Sequence, residues 1–131
     1  MGDEGEIRRG KGETLLIIDD ESAFVEITKI LMNMAGYEVI TASNGQEGTE
    51  KFTANKGRVN LIICDLNMPK LGGHSLIQSL LAIQSNIKIL IVSGSIEEEH
   101  IQQYLLDGVI EFLQKPFLND TLLAKLRKLL D

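Results

Sequence analysis

The stretch 61-LIICDLNMPK-70 ends an apolar run, Leu61 to Cys64, on one carboxylate, Asp65, and continues into a polar loop containing Pro69. A short continuous apolar run of this kind suits a strand buried on both faces. Such strands belong to parallel sheets covered by helices, and in those sheets ligands bind beyond the carboxyl ends of the strands. Asp65 stands at one of those ends.

The chain around it repeats the arrangement. TLLII (14–18) is a β-branched apolar run bounded by charge, and it is predicted as the first strand. Ser22 is expected to cap a helix running to about Met34, with Gly36 as its stop. YEVITA (37–42) is the second strand, and Asn44-Gly45 turns the chain into a polar helix over roughly 46–55. VNLIIC (59–64) is the third strand, followed by a loop with Pro69, Gly72 and Gly73 and a helix near 74–83. IKILIV (87–92) is the fourth strand. Glu97-Glu98-Glu99 opens the next helix, where acidic side chains suit the positive helix end. VIEFL (109–113) is the fifth strand, and after Lys115-Pro116 an amphipathic helix runs from about Asn119 to Leu130. Five strands alternating with five helices imply an α/β fold, a parallel sheet with helices on both faces.

Composition sets the bounds on function. The chain has 131 residues, one domain's length, and 44% hydrophobic residues supply a core. The net charge of −6 argues against nucleic-acid binding and against docking on anionic membranes. No apolar run approaches the ~20 residues of a membrane span. The single cysteine, Cys64, excludes an internal disulfide, and a cytoplasmic location is expected. Cys64 itself reads as a buried small hydrophobe. Residues 1–12, rich in glycine and charge, are expected to form a flexible tail or linker, leaving 13–131 as the domain.

The residues just past each strand carry the chemistry. With strand order 2-1-3-4-5, the first and third strands are neighbours, and Asp19, Asp20 and Asp65 converge. Carboxylates that close repel unless a cation sits among them. A hard divalent ion, Mg²⁺ or Mn²⁺, answers that need. Lys115 and Ser93, past the fifth and fourth strands, add a cation and a hydroxyl. A carboxylate beside a divalent cation, an ammonium and a hydroxyl is arranged to accept a phosphoryl group as a nucleophile.

Four motifs, LLIIDDE (15–21), LIICDLNMP (61–69), ILIVSGS (89–95) and FLQKPF (112–117), together resemble the receiver domain of two-component response regulators. The resemblance runs from about Glu13 to the end. It implies a flavodoxin-like doubly wound sheet and assigns roles by position. Asp65 matches the phosphoacceptor, Asp20 the direct Mg²⁺ ligand, and Asp19 the ligand acting through water. Asn67 matches the residue whose backbone carbonyl binds the metal. Ser93 matches the switch hydroxyl, Lys115 the phosphate-binding lysine, and Phe112 the switch aromatic. The resemblance also implies a cis Lys115–Pro116 bond, an isomer that the tertiary amide permits. Asn67 and Ser95 fall where the family tunes self-dephosphorylation. Gly94 and Gly72-Gly73 depart from the usual alanine and Asp-Gly at their positions.

Partners and alternatives follow. The helix from Ser22 carries more apolar residues than one core stripe needs. Phe24, Ile27, Ile30 and Met34 are therefore a candidate docking patch for a histidine kinase or histidine phosphotransfer domain, partners the resemblance implies. The expected function is a signalling phosphoacceptor that takes its phosphoryl group from a phosphohistidine. It is not expected to act as an enzyme beyond self-catalysed transfer and autodephosphorylation. The competing reading is a haloacid-dehalogenase-type phosphatase, which also uses an aspartyl nucleophile and Mg²⁺. Asn67 stands where that family carries a general acid. No G-x-G-x-x-G follows the first strand, which sets aside a dinucleotide site. A stand-alone regulator and the terminal receiver of a hybrid histidine kinase are both open; the segment LLDGVIEFLQKPF (105–117) is similar to such terminal receivers, which inclines the expectation toward the hybrid origin. The oligomeric state has no signature in the sequence.

Overall fold

In the first strand, β1 (Thr14–Ile18), successive side chains point to opposite faces of the sheet, and this parity sorts the core into two layers. The computed structural model describes residues 9–65, 73–94, 102, 104 and 111–131. The other strands are β2 (Glu38–Ala42), β3 (Val59–Asp65), β4 (Lys88–Ser93) and β5 (Glu111–Gln114). The helices are α1 (Ser22–Met34), α2 (Gly45–Ala54), α3 (Gly73–Ile83) and α4 (Asn119–Leu130).

All strand pairs are parallel, in the order β2-β1-β3-β4-β5, as expected of a flavodoxin-like doubly wound sheet. Four helices stand among the described residues where the sequence predicts five. The helix expected from Glu97 lies outside them, except that Gln102 and Tyr104 are helical.

Leu16, Ile18, Ile62, Cys64, Ile89 and Ile91 face one side of the sheet, where Phe52 of α2 and Leu76, Ile77 and Leu80 of α3 cover them. Leu15, Ile17, Leu61, Ile63, Leu90 and Val92 face the other, under Met32 of α1 and Leu122, Leu126 and Leu129 of α4. The central strands are apolar on both faces because both faces are covered. Burying such side chains supplies the main driving force of the fold, about 1.5–3 kcal/mol each.

One local expectation, the cap of the first helix, is corrected. Ser22 is the first helical residue of α1, not its cap. Glu21 holds the N-cap position without a capping side chain, and its N–H donates to Asp19 Oδ1 at 2.9 Å. The Asp19 carboxylate thus closes the turn that leads into the helix, and no side chain caps α1. The segment 9–12, expected to belong to the flexible tail, is tied to the domain. Gly10 N–H donates to the Ala35 carbonyl at 2.6 Å, and Gly12 N–H to the Gly36 carbonyl at 3.0 Å. A β-carbon on Gly10 would lie 2.8 Å from the Gly36 backbone, so only glycine permits this crossing. Gly36 itself has φ 102°, a turn conformation that side chains disfavour. Asn44, expected only to turn the chain, also caps α2, accepting from Glu47 N–H at 2.8 Å.

Candidate functional site

Register brings the candidate residues to one edge. Ile18 pairs with Cys64, so Asp19 and Asp65 leave neighbouring strands at the same level. Asp65 pairs with Val92, and Ser93 with Gln114, so Ser93 and Lys115 follow one step further along. The Lys115 N–H donates to the Ser93 carbonyl at 2.8 Å, continuing the β4–β5 pairing past the strand end.

Asp19, Asp20 and Asp65 each present a carboxylate oxygen within 4.8 Å of the others. Asp19 and Asp65 are buried and Asp20 is exposed. Lys115 crosses from the far side. Its Nζ lies 2.8 Å from Asp19 Oδ2, 3.5 Å from Asp65 Oδ2 and 3.6 Å from Glu21 Oε1. The ring centroid of Phe24 lies 4.0 Å from the same Nζ. Burial raises the Asp19 carboxyl above its ordinary range, against the pull of the Lys115 hydrogen bond. For Lys115, burial opposes the charge, but the hydrogen bond to Asp19 and the surrounding carboxylates hold the ammonium protonated above its usual range. The buried Cys64 thiol is pushed up to about 12 by desolvation, then by the charges of Asp65 and Asp19. It stays a neutral core side chain, as its position in the strand suggests.

Three hard carboxylate oxygens converging on one point fit a hard divalent cation. The buried Asp19 gives a reason for one, since charge among these acids offsets the cost of keeping it ionised.

Ser93 is fully buried at the end of β4. Phe112 is half-buried on β5. Its ring packs on the core and lies 6.4 Å from that of Tyr104. The Lys115–Pro116 peptide is cis. Asn67 and Ser95 lie outside the described residues. On α1, Ile27, Ile30 and Met34 are 59%, 57% and 73% exposed. They recur at the helical spacing of one stripe. Phe24 is half-buried, at the rim of a groove of about 420 Å³ between α1 and the segment from Lys115 into α4.

Two residues at the site were given no role of their own by the sequence reading. Glu21 approaches Lys115 from outside, and Phe117 meets Phe24 edge-on with centroids 6.0 Å apart. Each directly follows or lies within a recognised motif, so adjacency to DD and KP was the available signal.

Residues 15–127 match the family model described as the response regulator receiver domain. The chain belongs to that family. A chemotaxis protein CheY from Treponema pallidum is 33% identical over 129 residues, which cover 96% of this chain and 88% of that protein. A receiver domain protein from Clostridium thermocellum superposes with a TM-score of 0.85 at 30% identity, over 90% of this chain and 94% of the other. The cell cycle transcriptional regulator CtrA from Caulobacter vibrioides is 29% identical over 115 residues. That match covers 86% of this chain but only 48% of CtrA, so the chain spans about half of such longer relatives. Membership places the protein in two-component signalling and favours the signalling module over the phosphatase. Among the described residues, no helix is long and apolar enough to cross a membrane.

Proposed function

We propose that Asp65 accepts a phosphoryl group from a phosphohistidine on a kinase or histidine phosphotransfer domain, and that the resulting charge switches the domain. The observation that carries this is the convergence of Asp65 with Asp19, Asp20 and the Lys115 ammonium at one sheet edge.

An oxygen of the ionised Asp65 attacks phosphorus in line with the P–N bond. The P–O bond forms as the P–N bond breaks, and the electron pair goes to the imidazole nitrogen. A ring already protonated on its other nitrogen leaves as neutral imidazole, so no further proton is needed. Lys115, 3.5 Å from Asp65, is placed to move from Asp19 toward the phosphoryl oxygens and neutralise their charge. Mg²⁺ or Mn²⁺, held by Asp20 and Asp65 with Asp19 through water and the Asn67 carbonyl, would supply the remaining positive charge on those oxygens.

Ser93 offers a hydroxyl donor to the new charge, and Phe112 repacks inward behind it. The face around β5 then changes shape, a local electrostatic event with a wider readout. Asn67 and Ser95 set the access of water that ends the signal. Donor docking is assigned to the exposed stripe of α1 and the groove beside Phe24, where one helix of a helical partner would lay its apolar face.

The test is phosphorylation with the protein's own donor in Mg²⁺. The wild type is expected to gain acid-stable, base-labile phosphate, and Asp65→Asn to gain none. Full labelling of Asp65→Asn would sink the proposal. Turnover of phosphate esters, measured in the same samples, would revive the phosphatase reading.

A further inference from the structure

The phosphoacceptor reading uses Lys115 but leaves open what holds it. Its Nζ has carboxylates on one side, Asp19 at 2.8 Å and Asp65 at 3.5 Å. On another side it meets the ring of Phe24, 4.0 Å from the centroid. The lysine side chain is only 17% exposed. Phe24 is itself fixed edge-on against Phe117, at an interplanar angle of 89°.

An ammonium over a ring face is attracted by the ring quadrupole. That attraction has no single acceptor atom, so the cation can slide across the face without losing it. Lys115 must make such a slide, from Asp19 toward a phosphoryl group on Asp65. Without the ring, the flexible lysine stem could swing toward Glu21, which already lies 3.6 Å away and is largely exposed.

We infer that Phe24 is a positioning residue for Lys115: its ring holds the ammonium on the carboxylate side of the site and so sets how fast Asp65 is phosphorylated. This rests on the phosphoacceptor reading and adds a residue to it. The ring also lines the groove between α1 and α4, so the contact joins the groove to the reacting site.

The test uses the intact protein with a small phosphodonor, phosphoramidate, which needs no docking surface. Phe24 is replaced by phenylalanines of increasing ring fluorination, which keep the shape and weaken the quadrupole, and by Phe24→Tyr and Phe24→Leu. The labelling rate is expected to fall stepwise along the fluorinated series, to about one-fifth to one-thirtieth at full fluorination. Phe24→Leu should be as slow, and Phe24→Tyr should retain most of the rate. Thermal melts confirm that the fluorinated proteins fold. A flat rate across the series, with the wild type labelled, overturns the inference and leaves the phosphoacceptor reading intact. A wild type that takes no label fails the reading itself. NMR of the Lys115 side chain then judges Phe24 separately. The Lys115 Hε protons should carry an upfield ring-current shift that Phe24→Leu abolishes, and an unchanged shift rejects the contact.

Discussion

Asp19 shows what a single buried acid costs and why it is kept. It is 1% exposed, and burial raises its carboxyl despite the hydrogen bond from Lys115. A folded carboxyl that binds its proton more tightly than the unfolded one lowers stability at neutral pH. The penalty is relieved as pH falls through the raised folded value toward the ordinary range. Asp19→Asn should therefore stabilise the protein at pH 7 without divalent metal. The expected gain in melting temperature is roughly 4 °C, the shift that about 1 kcal/mol gives a domain of this size. With Mg²⁺ added, the wild type should gain in melting temperature through binding to the folded state, and the variant should gain far less. Melts in EDTA and in Mg²⁺ check both signs. A variant less stable in EDTA would mean that the charge pair with Lys115 outweighs burial.

At the scale of the elements, the strands were legible because their apolar runs are uninterrupted. The central strands β1, β3 and β4 carry few polar residues to blur them; alternation with helices gave the parallel sheet, while its order came from the family resemblance. The edge strand β2 was legible too, though its pattern runs from exposed Glu38 to buried Ala42. The start of α1 was not legible, because Ser22 is a good capping residue by type and only the fold shows it as the first helical residue, with Asp19 accepting from the Glu21 N–H in the turn before it. Composition could not decide between a generously buried α1 and an exposed one. The structure buries Thr28 and Met32 and leaves Ile27, Ile30 and Met34 in solvent. Charging that stripe should cost little stability, within about 0.5 kcal/mol, as at other surface positions. It should cost much in recognition. Ile30→Glu is expected to slow transfer from the histidine-phosphorylated donor by about tenfold or more, since central apolar contacts dominate such interfaces. Transfer kinetics over a range of donor concentrations check this, and an unchanged rate would move the docking site elsewhere.

At the scale of the whole molecule, the end of the sheet opposite the acids carries a second charged assembly. The sequence concealed it because its members lie far apart in the chain. Arg127 of α4 is 4% exposed. Its Nη2 lies 2.6 Å from Glu13 Oε2 and 2.7 Å from Asp131 Oδ1. Its Nη1 donates to the Arg9 carbonyl at 3.2 Å and to the Tyr37 hydroxyl at 3.3 Å. One guanidinium thus joins the segment before β1, the start of β2 and the end of the chain, a use of the planar fork that lysine cannot match. The Glu13 carboxyl is held below its ordinary range, chiefly by its hydrogen bond to Arg127. Its stabilisation is fully present above the ordinary glutamate range and is lost as pH falls through the depressed folded value. Arg127→Gln should cost about 3 kcal/mol at pH 7, the low end for breaking a buried pair, because Asp131 remains half in solvent. The gap between wild type and variant, measured by urea unfolding, should then narrow from pH 5 downward. Gly10→Ala should release the same segment from the other side, by pressing a methyl group onto the Gly36 backbone. Because both changes free one segment, their costs should sum to more than the double variant loses. Simple additivity would show that the two residues do not act on one segment, and a gap that stays constant with pH would show that Arg127 acts through packing and not through Glu13.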